Sequence, residues 1–147
     1  MKISVLVATL SAIVNAQNDC NAYNELESAT SCGSSGYAMN YGLPNCENFS
    51  KREDIFDARG KRFISCTRGC LARFVREELI GGNVKNCATI KSMAFASHVP
   101  CYKKCEFCQA LFSNKIAFAR VFRFSDFFNA NALRQVADIS WNCIWSG

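Results

Sequence analysis

Cys66-Thr67-Arg68-Gly69-Cys70 and Cys101-Tyr102-Lys103-Lys104-Cys105-Glu106-Phe107-Cys108 are the stretches whose spacing decides the fold. Four residues make about one helical turn, so each Cys-x-x-x-Cys pair puts two thiols on one face of a helix, one above the other. In antiparallel order, Cys66 meets Cys105 and Cys70 meets Cys101. Both pairs have the same index sum, the register that two antiparallel helices need to be joined twice. Packed helices have axes about 8–10 Å apart and Cα radii of about 2.3 Å. Facing Cα atoms then stand about 4–5 Å apart, near the range a disulfide accepts. The reading is a two-rung disulfide ladder. It predicts an all-α fold, a compact disulfide-stapled helical domain with an antiparallel helical hairpin.

Other uses of these thiols fit less well. Structural zinc sites use tighter Cys-x-x-Cys knuckles on turns, and an oxidising compartment favours disulfides over metal, so no metal site is expected. Cys105-Glu106-Phe107-Cys108 has redox spacing, but a redox pair sits at a helix start, whereas Cys105 falls a turn inside its predicted helix. Twin Cys-x-x-x-Cys hairpins also occur in the mitochondrial intermembrane space. The amino terminus argues for export instead. Met1-Lys2 is positive, Ile3 to Val14 is almost wholly apolar, and Val14-Asn15-Ala16 offers small residues for a signal peptidase. Residues 1–16 therefore read as a signal peptide and 17–147 as the mature domain. The apolar run is shorter than the roughly 20 residues of a membrane span, and no later stretch approaches that length without charges.

Ten cysteines in a chain of 147 residues point to a disulfide framework with no thiol left over. The formal charge of +5, or +4 without Lys2, is too mild to argue for nucleic acid. Asn21 to Thr30 reads as a helix ended by Gly33. Ser31–Gly36 reads as a loop and Tyr41–Asn45 as a turn. Lys61 to Ile80 is the clearest helix, with Phe63, Cys66, Cys70 and Phe74 on one face and Gly81-Gly82 at its end. A second helix is predicted over Val84 to Ser97. A third runs from Cys101 to about Ser113, with Pro100 near its first turn. Ser125-Asp126 is the expected cap of a last helix reaching Trp141.

Little else carries chemistry. His98 is the single histidine and reads as a surface residue ahead of a helix. No Ser-His-Asp pattern or carboxylate pair stands out, so no catalytic residue and no cofactor is expected. Asp57-Ala58-Arg59-Gly60-Lys61 lacks the alternating oxygens of a calcium loop and reads as a helix start. Asn48-Phe49-Ser50 is the one N-glycosylation sequon. Lys61, Arg62, Arg68, Arg73 and Arg76 make the first long helix basic, with Lys103 and Lys104 adding to it. They form a solvated face or a docking surface for an extracellular protein receptor or a sulfated glycan. Seven phenylalanines between Phe107 and Phe128 are expected mostly in the core, any exposed ones marking a partner interface.

One family shares this pattern. Cys46, the box Phe56-Asp57-x-x-Gly60-Lys61-x-Phe63, Cys70, Cys87, Cys101-Tyr102 followed by Lys103-Lys104, Cys108 and Cys143 resemble the stanniocalcins, secreted glycoprotein hormones. The intervals match except Cys70 to Cys87, which is one residue longer, and the match covers about two thirds of the chain. The resemblance implies Cys70–Cys101 and Cys108–Cys143, and an upstream partner each for Cys46 and Cys87. Taking these in order gives Cys20–Cys46 and Cys32–Cys87, a pairing the sequence leaves open. Cys66 and Cys105 have no counterpart in the family pattern, so their rung rests on helix geometry alone. The family's subunit-linking cysteine is absent, so any homodimer is expected to be non-covalent. The resemblance implies a non-enzymatic signalling protein with a role in calcium and phosphate balance. The alternative is a secreted structural or host-interaction protein on the same scaffold.

Overall fold

The computed structural model describes residues 2–121 and, in the carboxy-terminal segment, residues 134, 137–139, 141, 143 and 145. The expected cap at Ser125-Asp126 lies outside the described residues, as do Phe122, Phe124, Phe127 and Phe128. Helix α1 spans Lys2–Thr30, and a π-helical turn at Ala38–Gly42 leads into α2, Leu43–Lys51. A 3-10 turn at Glu53–Ile55 precedes α3, Ala58–Phe74, which widens into a π-helical end at Val75–Ile80. Then follow α4, Cys87–Lys104, α5, Phe107–Ser113, and α6, Lys115–Val121. No strand occurs among the described residues.

The ladder is present. Cys66 bonds Cys105 and Cys70 bonds Cys101, with Cα–Cα distances of 5.6 and 5.7 Å. Both exceed the 4–5 Å expected for residues on the line between the axes, so the cysteines sit to the side of it. The remaining bonds are Cys20–Cys46, Cys32–Cys87 and Cys108–Cys143, which leaves no free cysteine. Helix α1 is thereby tied to α2, the loop after α1 to the start of α4, and the carboxy-terminal segment to α5.

Helix α4 corrects the sequence reading. The two helices expected on either side of Pro100 are one, and Asn86 caps it by accepting from Thr89 N at 2.9 Å. Proline removes one hydrogen bond, to the carbonyl four residues back. Here that carbonyl belongs to Ala96, and both Ala96 and Pro100 are exposed, so water can serve it. The chain breaks instead at Glu106, whose φ of 60° is left-handed. The hairpin therefore consists of α3 and the end of α4. Helix α1 does stop at Thr30, but the left-handed residue that ends it is Ser31, at φ 53°, and Gly33 follows in the same region at φ 78°.

Two apolar clusters fill the interior. One joins Ala22, Tyr23 and Leu26 of α1 to Ala72, Val75 and Leu79 of α3 and its π-helical end, and to Ile90, Ala94 and Phe95 of α4. The other gathers Phe56, Phe63, Phe107 and Phe118 with Ile139 and Cys143. The four phenylalanine rings meet edge-on or tilted with centroids 5.0–5.7 Å apart, the geometry in which aromatic quadrupoles attract.

Candidate partner-binding surface

The basic helix is split by burial. The Arg68 side chain is only 6 % exposed. Its Nε lies 3.3 Å from Asp19 Oδ2, its Nη1 donates to Ser50 Oγ at 3.2 Å, and Glu53 stands 3.9 Å away. A guanidinium taken out of water must be matched by such partners, so Arg68 ties α1, α2 and the 3-10 turn to α3. Arg76 forms a fork–fork pair with Glu25 across to α1, at 2.7 and 2.9 Å, and also donates to the Asn18 carbonyl at 2.7 Å. The pair holds the Glu25 carboxyl below its usual range, first through the hydrogen bond, and raises the arginine. The assignment of Arg68 to a docking face is therefore corrected, since it is buried and braces the fold, and Arg76, half-exposed, is committed to Glu25. Lys61, Arg62 and Arg73 stay exposed without an ion pair to any described residue. Arg59, Lys103 and Lys104 are exposed in the same way. Arg59 was missed as a surface cation because its pentapeptide reads as a helix start.

His98 overturns the surface reading. It is buried, with Nδ1 2.9 Å from the Ala94 carbonyl, its ring stacked near Phe95 and edge-on to Tyr37, Tyr41 and Tyr102. Burial pushes its pKa down, against the hydrogen bond to Ala94. Burial also raises Tyr23 and Tyr37 and pushes Tyr102 up to about 12. His98 and the four tyrosines, with Thr67 and Arg68, line a small cavity of about 70 Å³. Thr67 Oγ1 has no protein partner there, a setting suited to bound water.

The sequon asparagine is half-buried. Asn48 Nδ2 donates to the Val121 carbonyl at 2.9 Å, and Ser50 Oγ donates to Cys46 O at 2.7 Å. Among the described residues, no group of three or more His, Cys, Asp or Glu side chains is placed to hold a metal ion. No described helix is long and apolar enough to cross a membrane.

The stanniocalcin family model matches residues 6–144, nearly the whole chain. The chain belongs to the stanniocalcin family. No curated protein and no solved structure matches it. Stanniocalcins are secreted hormones, and membership supports a stanniocalcin-like hormone in general.

In this stanniocalcin, the Phe-Asp-x-x-Gly box is a helix start locked from outside. Asp57 caps α3 by accepting from Gly60 N at 2.8 Å. Asn114, between α5 and α6, accepts from Asp57 N at 2.8 Å and donates to Asp57 Oδ1 at 2.7 Å. These bonds, Gly60 first and Asn114 second, hold the Asp57 carboxyl down to about 2. A Cβ on Gly60 would stand 2.8 Å from Phe56 Cβ and 2.9 Å from Asn114 Cγ, so only glycine lets the three approach. Of the seven late phenylalanines, Phe107 and Phe118 are core, whereas Phe112 is exposed with Lys115 over its ring. Ile116, Trp141 and Trp145 are exposed too, the two indoles 5.6 Å apart.

Proposed function

We propose that this chain is a secreted, stanniocalcin-like signalling protein that acts by binding an extracellular partner, with a role in calcium and phosphate balance and no catalysis of its own. The observation that carries the reading is the contrast between inside and outside. Arg68 and Arg76 are matched within the fold, while Arg59, Lys61, Arg62 and Arg73 of α3 face outward unmatched. A face of exposed, unpaired cations, on a molecule that also exposes Phe112, Trp141 and Trp145, has the composition of a recognition surface.

Export rests on the leader, residues 1–16, cut after Ala16. Leu10, Ile13 and Val14 are all exposed on α1, whereas the first buried side chain described on that helix is Cys20. Cutting there removes these exposed apolar side chains and keeps every buried residue described on α1. The glycan of the reading sits on Asn48.

The test uses protein purified from culture medium. Saturable binding to responsive cells and a change in their calcium flux are expected. Absence of specific, saturable binding overturns the hormone reading and leaves a secreted structural protein.

A further inference from the structure

A cleft of about 220 Å³ opens between α3 and the junction of α4 with α5. Arg59, Arg62 and Lys104 line it, with Glu106 and Gln109. The Cys66–Cys105 bond, the rung that the family pattern lacks, is part of its lining. Arg59 and Arg62 are three apart on one helix, so their side chains rise from the same face. Cys66 follows Arg62 by one turn, and its bond to Cys105 brings Lys104 across to meet the two arginines. The three cations have no ion pair with a described residue, and Glu106 is the one carboxylate in the lining.

We infer that this cleft is a binding site for a sulfate ester of an extracellular sulfated glycan. The inference rests on the extracellular reading above and names the chemistry of one part of the surface. Arginine's planar fork matches a tetrahedral oxyanion, and its weakly hydrated charge gives up water readily. A volume below the roughly 300–1,000 Å³ of sites that enclose a whole small molecule suits one charged group of a longer chain. An acidic protein would need a broad complementary face. Here the cations converge on one recess whose spacing is fixed by a covalent bond.

The experiment applies purified full-length protein to immobilised heparin and, in parallel, to hyaluronan, which carries carboxylates and no sulfate. Wild-type protein is expected to bind heparin, with affinity falling as salt rises, and not hyaluronan. The triple variant Arg59→Ala, Arg62→Ala, Lys104→Ala should lose about tenfold in affinity. Lys91→Ala, an exposed cation on α4 outside the cleft, should change it little. Glu106→Gln should tighten binding, which no unfolded variant can mimic. Equal retention of the triple variant, equal loss in Lys91→Ala, or equal binding to hyaluronan overturns the site. Failure of export shows separately, as protein retained in the cells, and lost cell signalling with intact heparin binding overturns the hormone reading alone.

Discussion

At the residue scale, three side chains sort what the sequence could tell from what it could not. Arg68 looks like its neighbours along α3, yet its partners Asp19 and Glu53 sit on other segments, and only tertiary placement turns a surface charge into an internal brace. Asp57 was legible as a helix start because a cap is local, whereas its second partner, Asn114, is 57 residues away. Replacing buried Asn114 by Ala removes its bonds to Asp57 N and Oδ1 and should lower the midpoint of thermal or urea unfolding. Because Asp57 is held near 2, its share of stability is present above the ordinary carboxylate range and fades as pH falls toward 2. His98 is shifted the other way round in its consequence. Its folded pKa lies below 6.5, so on acidification the unfolded chain takes the proton first. Stability is whole above about pH 6.5 and falls below it, by at most about 1.4 kcal/mol per pH unit for one proton. The cavity wall around His98 holds tyrosines that stay neutral in that window and Arg68, but no carboxylate to welcome the charge. His98→Phe should flatten the loss of thermal midpoint between pH 7 and 5. An unchanged slope would place it on other groups.

At the scale of elements, the hairpin was readable because an i, i+4 spacing and an equal index sum are statements about helices alone. The run through Pro100 was not readable, since the cost of proline depends on whether the carbonyl it abandons faces water or core. The bonds Cys20–Cys46 and Cys32–Cys87 needed the resemblance and the chain order, because none of these cysteines has a second at i+4 to set a register. The two rungs should also differ in effect according to the order of removal. With Cys70–Cys101 closed, Cys66–Cys105 closes a ring of only about 10 residues in the unfolded chain, so its loss should cost about 3 kcal/mol. With the first rung gone, the second closes a loop of 31 residues and its loss should cost about 4 kcal/mol. Urea midpoints of Cys66→Ser/Cys105→Ser and of the fourfold serine variant read this directly. Equal steps would mean that the rungs act through native packing instead of chain entropy.

For the molecule as a whole, the order of synthesis bears on the sequon. The nitrogen that would carry a glycan, Asn48 Nδ2, donates to the carbonyl of Val121, 73 residues later in the chain. A sugar on that nitrogen leaves a single N–H and crowds the half-buried space where α6 ends. Transfer to Asn48 is unhindered only while residues beyond α5 have not docked, and the Cys108–Cys143 bond is what holds the carboxy-terminal segment against the phenylalanine cluster. Sequence alone marks the tripeptide but not this contest, because the competing acceptor is a backbone carbonyl with no signature. Expressed in a secretory host, the Cys108→Ser/Cys143→Ser variant should carry a glycan on a larger fraction of molecules than the wild type, read as the mass shift on enzymatic deglycosylation. Asn48→Gln should abolish the shift in both. If occupancy is the same with and without the Cys108–Cys143 bond, docking of the late helices does not govern access to Asn48, and the hydrogen bond to Val121 forms around the sugar.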